Sequence, residues 1–193
     1  MGIAIGITGG IGSGKSIVTK AFNVLGYPVF YSDNVAKEIL STDPQVINEV
    51  TKLLGEEAYQ KGEVNRAFIA TKIFNDQALK EKINHIIHPK VRKRFHQLVE
   101  DAGNQIVFNE AAILFETGTY KNFDYTICVV ADLTTRIERI KKRDGISEDA
   151  IQARINNQWP DEKKIALADF VIYNNNNDLL VPQILSTLNN ISN

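Results

Sequence analysis

Residues Gly9-Gly10-Ile11-Gly12-Ser13-Gly14-Lys15-Ser16 fit the phosphate-binding pattern G-x-x-x-x-G-K-[ST]. Upstream, Ile3-Ala4-Ile5-Gly6-Ile7-Thr8 is a short apolar run of strand length. Downstream, Ile17, Val18, Ala21, Phe22 and Leu25 recur at helical spacing. The loop therefore joins a buried strand to a helix N-terminus. Its glycines let the backbone curl so that several N–H groups point at one anion. The helix dipole adds positive potential at the same place. Lys15 is placed to reach the outer phosphates of a nucleoside triphosphate, and Ser16 to hold Mg²⁺ through its hydroxyl.

Outward from this loop, five segments read as buried strands: Ile3–Thr8, Val29–Tyr31, Gln105–Phe108, Tyr125–Val130 and Phe170–Tyr173. Helical patterns lie between them. This alternation predicts an α/β fold, a five-stranded parallel sheet flanked by helices, with ligands at the C-terminal ends of the strands. Between Asp33 and Gly103 no strand is expected. Helical stretches are read at Asn34–Ser41, Pro44–Leu54, Arg66–Phe74 and Ala78–Ile87, and Pro89 opens a further one over Lys90–Ala102. The expected organisation is a core of residues 1–33, 104–140 and 159–193, an inserted helical lobe at 34–103, and a small charged lid at 141–158. The run Asn174-Asn175-Asn176-Asn177 reads as a loop, and the tail from Leu179 to Ile191 as a helix packed on the sheet.

Composition narrows the function classes. The chain has 193 residues and a net charge of −1, so no global field attracts nucleic acid or an anionic membrane. No apolar stretch approaches the roughly 20 residues needed to span a bilayer. The opening MGIAIGITGG lacks a basic segment and belongs to the fold, so a signal peptide is not expected. Gly6 stands where a myristoylation signal needs Ser or Thr. The single cysteine, Cys128, lies in an apolar strand and reads as a core residue, which suits a reducing cytosol. His85, His88 and His96 have no cysteine or HExxH partner pattern and read as surface or capping residues.

Several side chains are candidates for chemistry. Asp33 is read at the end of the second strand, where a carboxylate faces the phosphate cleft and can take a proton from an attacking hydroxyl. It can equally cap a helix beginning at Asn34. Arg136, Arg139 and Arg143 follow the fourth strand at spacings that place them near one helical face, suited to the charge that phosphoryl transfer spreads over the moving group. Glu110, after Asn109, is an imperfect version of the acidic residue that supports Mg²⁺ at such a strand end. Glu116 either lines the cleft or caps the turn at Gly118.

Together these residues resemble the dephospho-coenzyme A kinase family over nearly the whole chain. The stretch Ile7-Thr8-Gly9-Gly10-Ile11-Gly12-Ser13-Gly14-Lys15-Ser16 is a narrow version of the general loop. Further matches follow in order: Ser32-Asp33 with Ala36, Gly62 with Asn65-Arg66, Ile73-Phe74, His88-Pro89, Leu114-Phe115-Glu116, Arg139 with Arg143, Arg154 with Gln158, and Ala168-Asp169 with Asn174. The resemblance implies a P-loop kinase that transfers the γ-phosphoryl group of ATP, with Mg²⁺, to the ribose 3′-hydroxyl of dephospho-coenzyme A. On this reading Gly10, Gly12, Ser13, Gly14, Lys15, Ser16 and Ile17 hold the triphosphate, with Asn174 near adenine. Asp33 is the base, and Arg139 and Arg143 contact phosphates from the lid. His88, Glu116 and Arg154 serve the acceptor beside Asp33, and the lobe binds it. A cytoplasmic monomer or small homo-oligomer is implied, with no nucleic acid or membrane partner.

The chain departs from the family pattern at three places. Ile17 replaces the usual threonine, so a side-chain contact to phosphate is lost and the backbone N–H is expected to remain. Tyr31 replaces the first acid of D-x-D, and Ala111-Ala112-Ile113 lacks the usual proline. A kinase of another nucleoside or nucleotide would share the loop and differ in the lobe. A GTPase-type switch needs an N-K-x-D segment and a glutamine after the third strand, and neither is present. A nucleic-acid ATPase is disfavoured by the charge balance.

Overall fold

The computed structural model describes residues 2–74 and 76–192. The chain begins with strand β1 (Ile3–Gly9), the glycine-rich loop and helix α1 (Lys15–Val24), followed by β2 (Val29–Tyr31). Helices α2 (Ser32–Thr42) and α3 (Pro44–Leu54) come next, then a hairpin of β3 (Tyr59–Gln60) and β4 (Glu63–Val64), α4 (Arg66–Phe74) and the long α5 (Gln77–Asp101). The chain returns through β5 (Ile106–Glu110), β6 (Tyr125–Val130), α6 (Leu133–Asp144), α7 (Glu148–Asn156), α8 (Asp161–Ile165), β7 (Phe170–Tyr173) and α9 (Leu180–Ser192).

Two compact units are built from these elements. One comprises Met1–Tyr31 with Val99–Asn193, and the other Ser32–Leu98. The first holds a parallel sheet in the order β2-β5-β1-β6-β7. In β1 the side chains alternate: Ile5 and Ile7 join Val18 and Phe22 of α1 and Ile184, Leu188 and Ile191 of α9 in one buried cluster. Phe22 stacks on Phe108 at 3.9 Å, and Tyr27 meets the same ring edge-on at 5.7 Å. On the opposite face a β-carbon at Gly6 would strike Leu114, so glycine is what lets that side chain lie against β1. Central strands buried on both faces explain the unbroken apolar runs in the sequence.

In the second unit Asp43 caps α3, accepting from Gln45 N–H at 3.0 Å and Val46 N–H at 3.1 Å, with Pro44 in the first turn. The backbone bond from Val46 holds its carboxyl below the usual range. Two expectations for this interval require correction. The stretches read as separate helices around Pro89 form the single helix α5. Ile83, Ile87, Val91 and Phe95, four residues apart, form one buried stripe that passes straight through the proline. Burying each contributes roughly 1.5–3 kcal/mol, which together outweighs the ~3 kcal/mol cost of an interior proline. The interval also contains the β3–β4 hairpin, where no strand was expected. Its turn residues Lys61 (φ 52°) and Gly62 (φ 82°) are both left-handed, as a tight two-residue turn requires. Strands of two residues are too short for periodicity to reveal.

Candidate active site

The strand β1 ends at Gly9, and Gly14 caps α1 with a left-handed backbone (φ 92°). Between them the loop folds tightly against side chains of the same unit. A β-carbon at Gly10 would collide with the Arg136 guanidinium, one at Gly12 would come within 2.7 Å of the Arg136 carbonyl oxygen, and one at Gly14 would collide with the Asn174 amide. The Lys15 ammonium donates to the Gly9 carbonyl at 2.9 Å. Ser16 is exposed at the helix start. Three buried polar atoms beside the loop, Thr8 Oγ1, Ser13 Oγ and the Arg139 NH1 nitrogen, have no hydrogen-bond partner among the described residues. The converging backbone, cations and orphaned polar atoms fit a triphosphate. Among the described residues no group of three or more His, Cys, Asp or Glu forms a metal cage. The Ser16 hydroxyl, at the start of α1 beside the loop, is a group that could hold Mg²⁺ together with phosphate oxygens.

The three arginines expected on one functional face divide their roles. Arg136 is buried; its Nε donates to the Ile11 carbonyl at 2.9 Å and its guanidinium pairs with Asp161 at 2.8 Å. It is part of the loop's support. Arg139 donates to the Asn176 side chain at 3.3 Å. Arg143 is largely exposed and grips the neighbouring Asp144 through two bonds of 2.7 and 3.1 Å. Arg154 reaches the same carboxylate at 2.9 Å. The hydrogen bond from Arg143 holds Asp144 below the usual carboxylate range. Residues 141–158, the stretch read as a lid, comprise the last turn of α6, which ends at Asp144, and the whole of α7.

Other expected site residues also find definite surroundings. Asn174 is buried and donates to the Ser13 carbonyl at 2.7 Å, so its amide supports the loop directly. Ile17 donates its N–H to the Gly14 carbonyl at 3.0 Å, closing the first turn of α1. Glu116 does not cap the turn at Gly118, whose N–H donates to Phe115. It accepts from Trp159 N–H at 3.1 Å and lies 3.3 Å from the buried Lys164 ammonium. Asp33 is exposed in the first turn of α2, because β2 ends at Tyr31 and Ser32 already opens the helix. His88, in the same unit, is half-buried; desolvation lowers its proton affinity, with Arg92 and His85 adding to this and Asp33 opposing it. Asp33 and His88 thus share one neighbourhood. Sequence reasoning missed Lys164 and Asp161, which read as an ordinary charged helix turn.

A family model described as dephospho-CoA kinase matches residues 3–179. The chain belongs to the dephospho-CoA kinase family. It is 41% identical over 189 residues to the dephospho-CoA kinase of Bacteroides fragilis, covering 97% of this chain and 92% of that one. With the enzyme of Porphyromonas gingivalis it shares 38% over 190 residues, covering 98% and 94%. A crystal structure from Thermus thermophilus superposes with a TM-score of 0.86 at 30% identity, covering 99% of this chain and 96% of that one. The dephospho-CoA kinase of Campylobacter jejuni superposes with a TM-score of 0.72 at 26% identity, over 100% and 98%. The chain is therefore an ATP-using kinase with dephospho-CoA kinase activity, the final step of coenzyme A biosynthesis.

Proposed function

We propose that the chain transfers the γ-phosphoryl group of Mg²⁺-ATP to the ribose 3′-hydroxyl of dephospho-coenzyme A in the cytoplasm. The observation that carries the site assignment is the glycine loop at the start of α1, lined by Lys15 and the orphaned Ser13 and Arg139 atoms. The loop N–H groups and Lys15 hold the β- and γ-phosphates. Arg139 faces the developing charge through its unpartnered nitrogen. When bound with ATP, Mg²⁺ neutralises phosphate charge. Asp33 accepts the proton of the attacking 3′-hydroxyl as the O3′–P bond forms; the bond from γ-phosphorus to the bridging oxygen breaks, and ADP leaves. The unit Ser32–Leu98, with His88, binds the acceptor. Arg143 and Arg154, held by Asp144, meet phosphates from the α6–α7 side.

The test is Mg²⁺-ATP turnover with dephospho-coenzyme A beside adenosine, AMP and CMP. Selective turnover with the first, giving a 3′-phosphorylated product, is expected. Turnover with another acceptor alone would overturn the assignment. Replacing Asp33 by Asn should lower kcat by about 10²–10⁴-fold with ATP affinity retained. Unchanged kcat would remove Asp33 from the base role.

A further inference from the structure

Ile11, at the crest of the glycine loop, is gripped on both sides of its α-carbon. Its N–H donates to Gln158 Oε1 at 2.7 Å, and its carbonyl accepts from Arg136 Nε at 2.9 Å. These groups belong to successive peptide units, so the two bonds fix both backbone torsions of Ile11. Its neighbours Gly10 and Gly12 have no side chains to resist rotation. The shape of the loop is thereby set from outside it. The Gln158 amide is itself oriented, because its Nε2 donates to the Ala112 carbonyl at 3.3 Å. Arg136 is held in turn by Asp161 at 2.8 Å.

Both holding residues come from one short stretch. Gln158 and Asp161 are three residues apart, with Pro160 (φ −59°) between them and the Trp159 N–H tied to Glu116 at 3.1 Å. The stretch begins two residues after α7 ends at Asn156. We propose that Gln158 is a positioning residue for the ATP-binding loop: with Arg136 it clamps Ile11 and ties the loop's shape to the segment that continues α7. The inference rests on the ATP site proposed above. It has an internal reporter, because Trp159 is the only tryptophan in the chain and adjoins Gln158. The Lys163 ammonium lies 3.3 Å from the centre of its ring, so a small shift of the stretch alters its emission.

The experiment compares the wild-type chain with Gln158→Leu, which keeps the bulk and removes both hydrogen bonds. ATP binding is measured by calorimetry, KM for each substrate by turnover, and Trp159 emission during ATP titration. In the wild type ATP is expected to change the emission. In the variant ATP should bind about 10-fold more weakly, with KM for dephospho-coenzyme A within about twofold, the melting temperature of the free chain lowered by only a few degrees and the emission response lost. An emission that does not respond in the wild type, wild-type ATP affinity in the variant, or an equal rise of both KM values would overturn the inference. A wild-type chain that binds no ATP at all would overturn the ATP site itself.

Discussion

At Gly14 the backbone sits at φ 92°, and a β-carbon there would collide with the Asn174 amide that holds the Ser13 carbonyl. Two independent constraints thus converge on one hydrogen atom. Replacing Gly14 by Ala is expected to destabilise the chain by about 1–3 kcal/mol through strain and to abolish ATP binding, read by thermal melting and calorimetry. A variant that binds ATP normally would show that the loop tolerates a second shape. Cys128 offers the opposite case, a residue with reactive chemistry and no means to use it. It is completely buried, and desolvation, with Asp161 next, pushes its thiol up to about 12. Iodoacetamide at neutral pH should leave it unmodified in the folded chain and label it only after denaturation.

The element that best shows the competition between local and tertiary preferences is α5. Pro89 offers no N–H to the carbonyl one turn earlier, yet the helix continues because its apolar stripe stays buried on both sides. Replacing Pro89 by Ala should raise stability by about 1–3 kcal/mol, measured as a higher urea midpoint; a lower midpoint would show that the proline is needed for the helix's course. The same helix carries His88, whose proton affinity is lowered in the fold chiefly by desolvation. Between the lowered value and the ordinary one of 6.5 the unfolded chain binds more protons. The stabilising contribution is therefore present above that ordinary value and lost as pH falls below it. Urea unfolding of His88→Gln from acid to neutral pH should lack this part of the wild-type pH dependence.

For the molecule as a whole, ATP binds only the folded chain, so it must raise the melting temperature. At 100 times its dissociation constant a ligand adds about 2.7 kcal/mol, which for a chain of this size is a shift of roughly 5–10 °C. Lys15→Ala should lose most of that shift while melting near the wild-type temperature without ligand. Equal shifts in both proteins would place the nucleotide away from the loop.

The sequence by itself determined the sheet and the loop. Four of the expected strands coincide with observed ones within a residue, and Gln105–Phe108 is displaced towards Glu110, because buried parallel strands need continuous apolar runs that reading along the chain detects. The loop was legible because its glycines, lysine and serine are neighbours in the chain. Tertiary structure alone decided what surrounds it. Gln158 on Ile11, Asn174 on Ser13 and Arg136 on Asp161 join residues 147, 161 and 25 positions apart. No local periodicity marks such pairs: an arginine in a basic helix or a lysine in the run Asp161–Ile165 reads as solvated. Only packing removes the water that would otherwise satisfy these side chains, and what replaces that water depends on where the rest of the chain has folded.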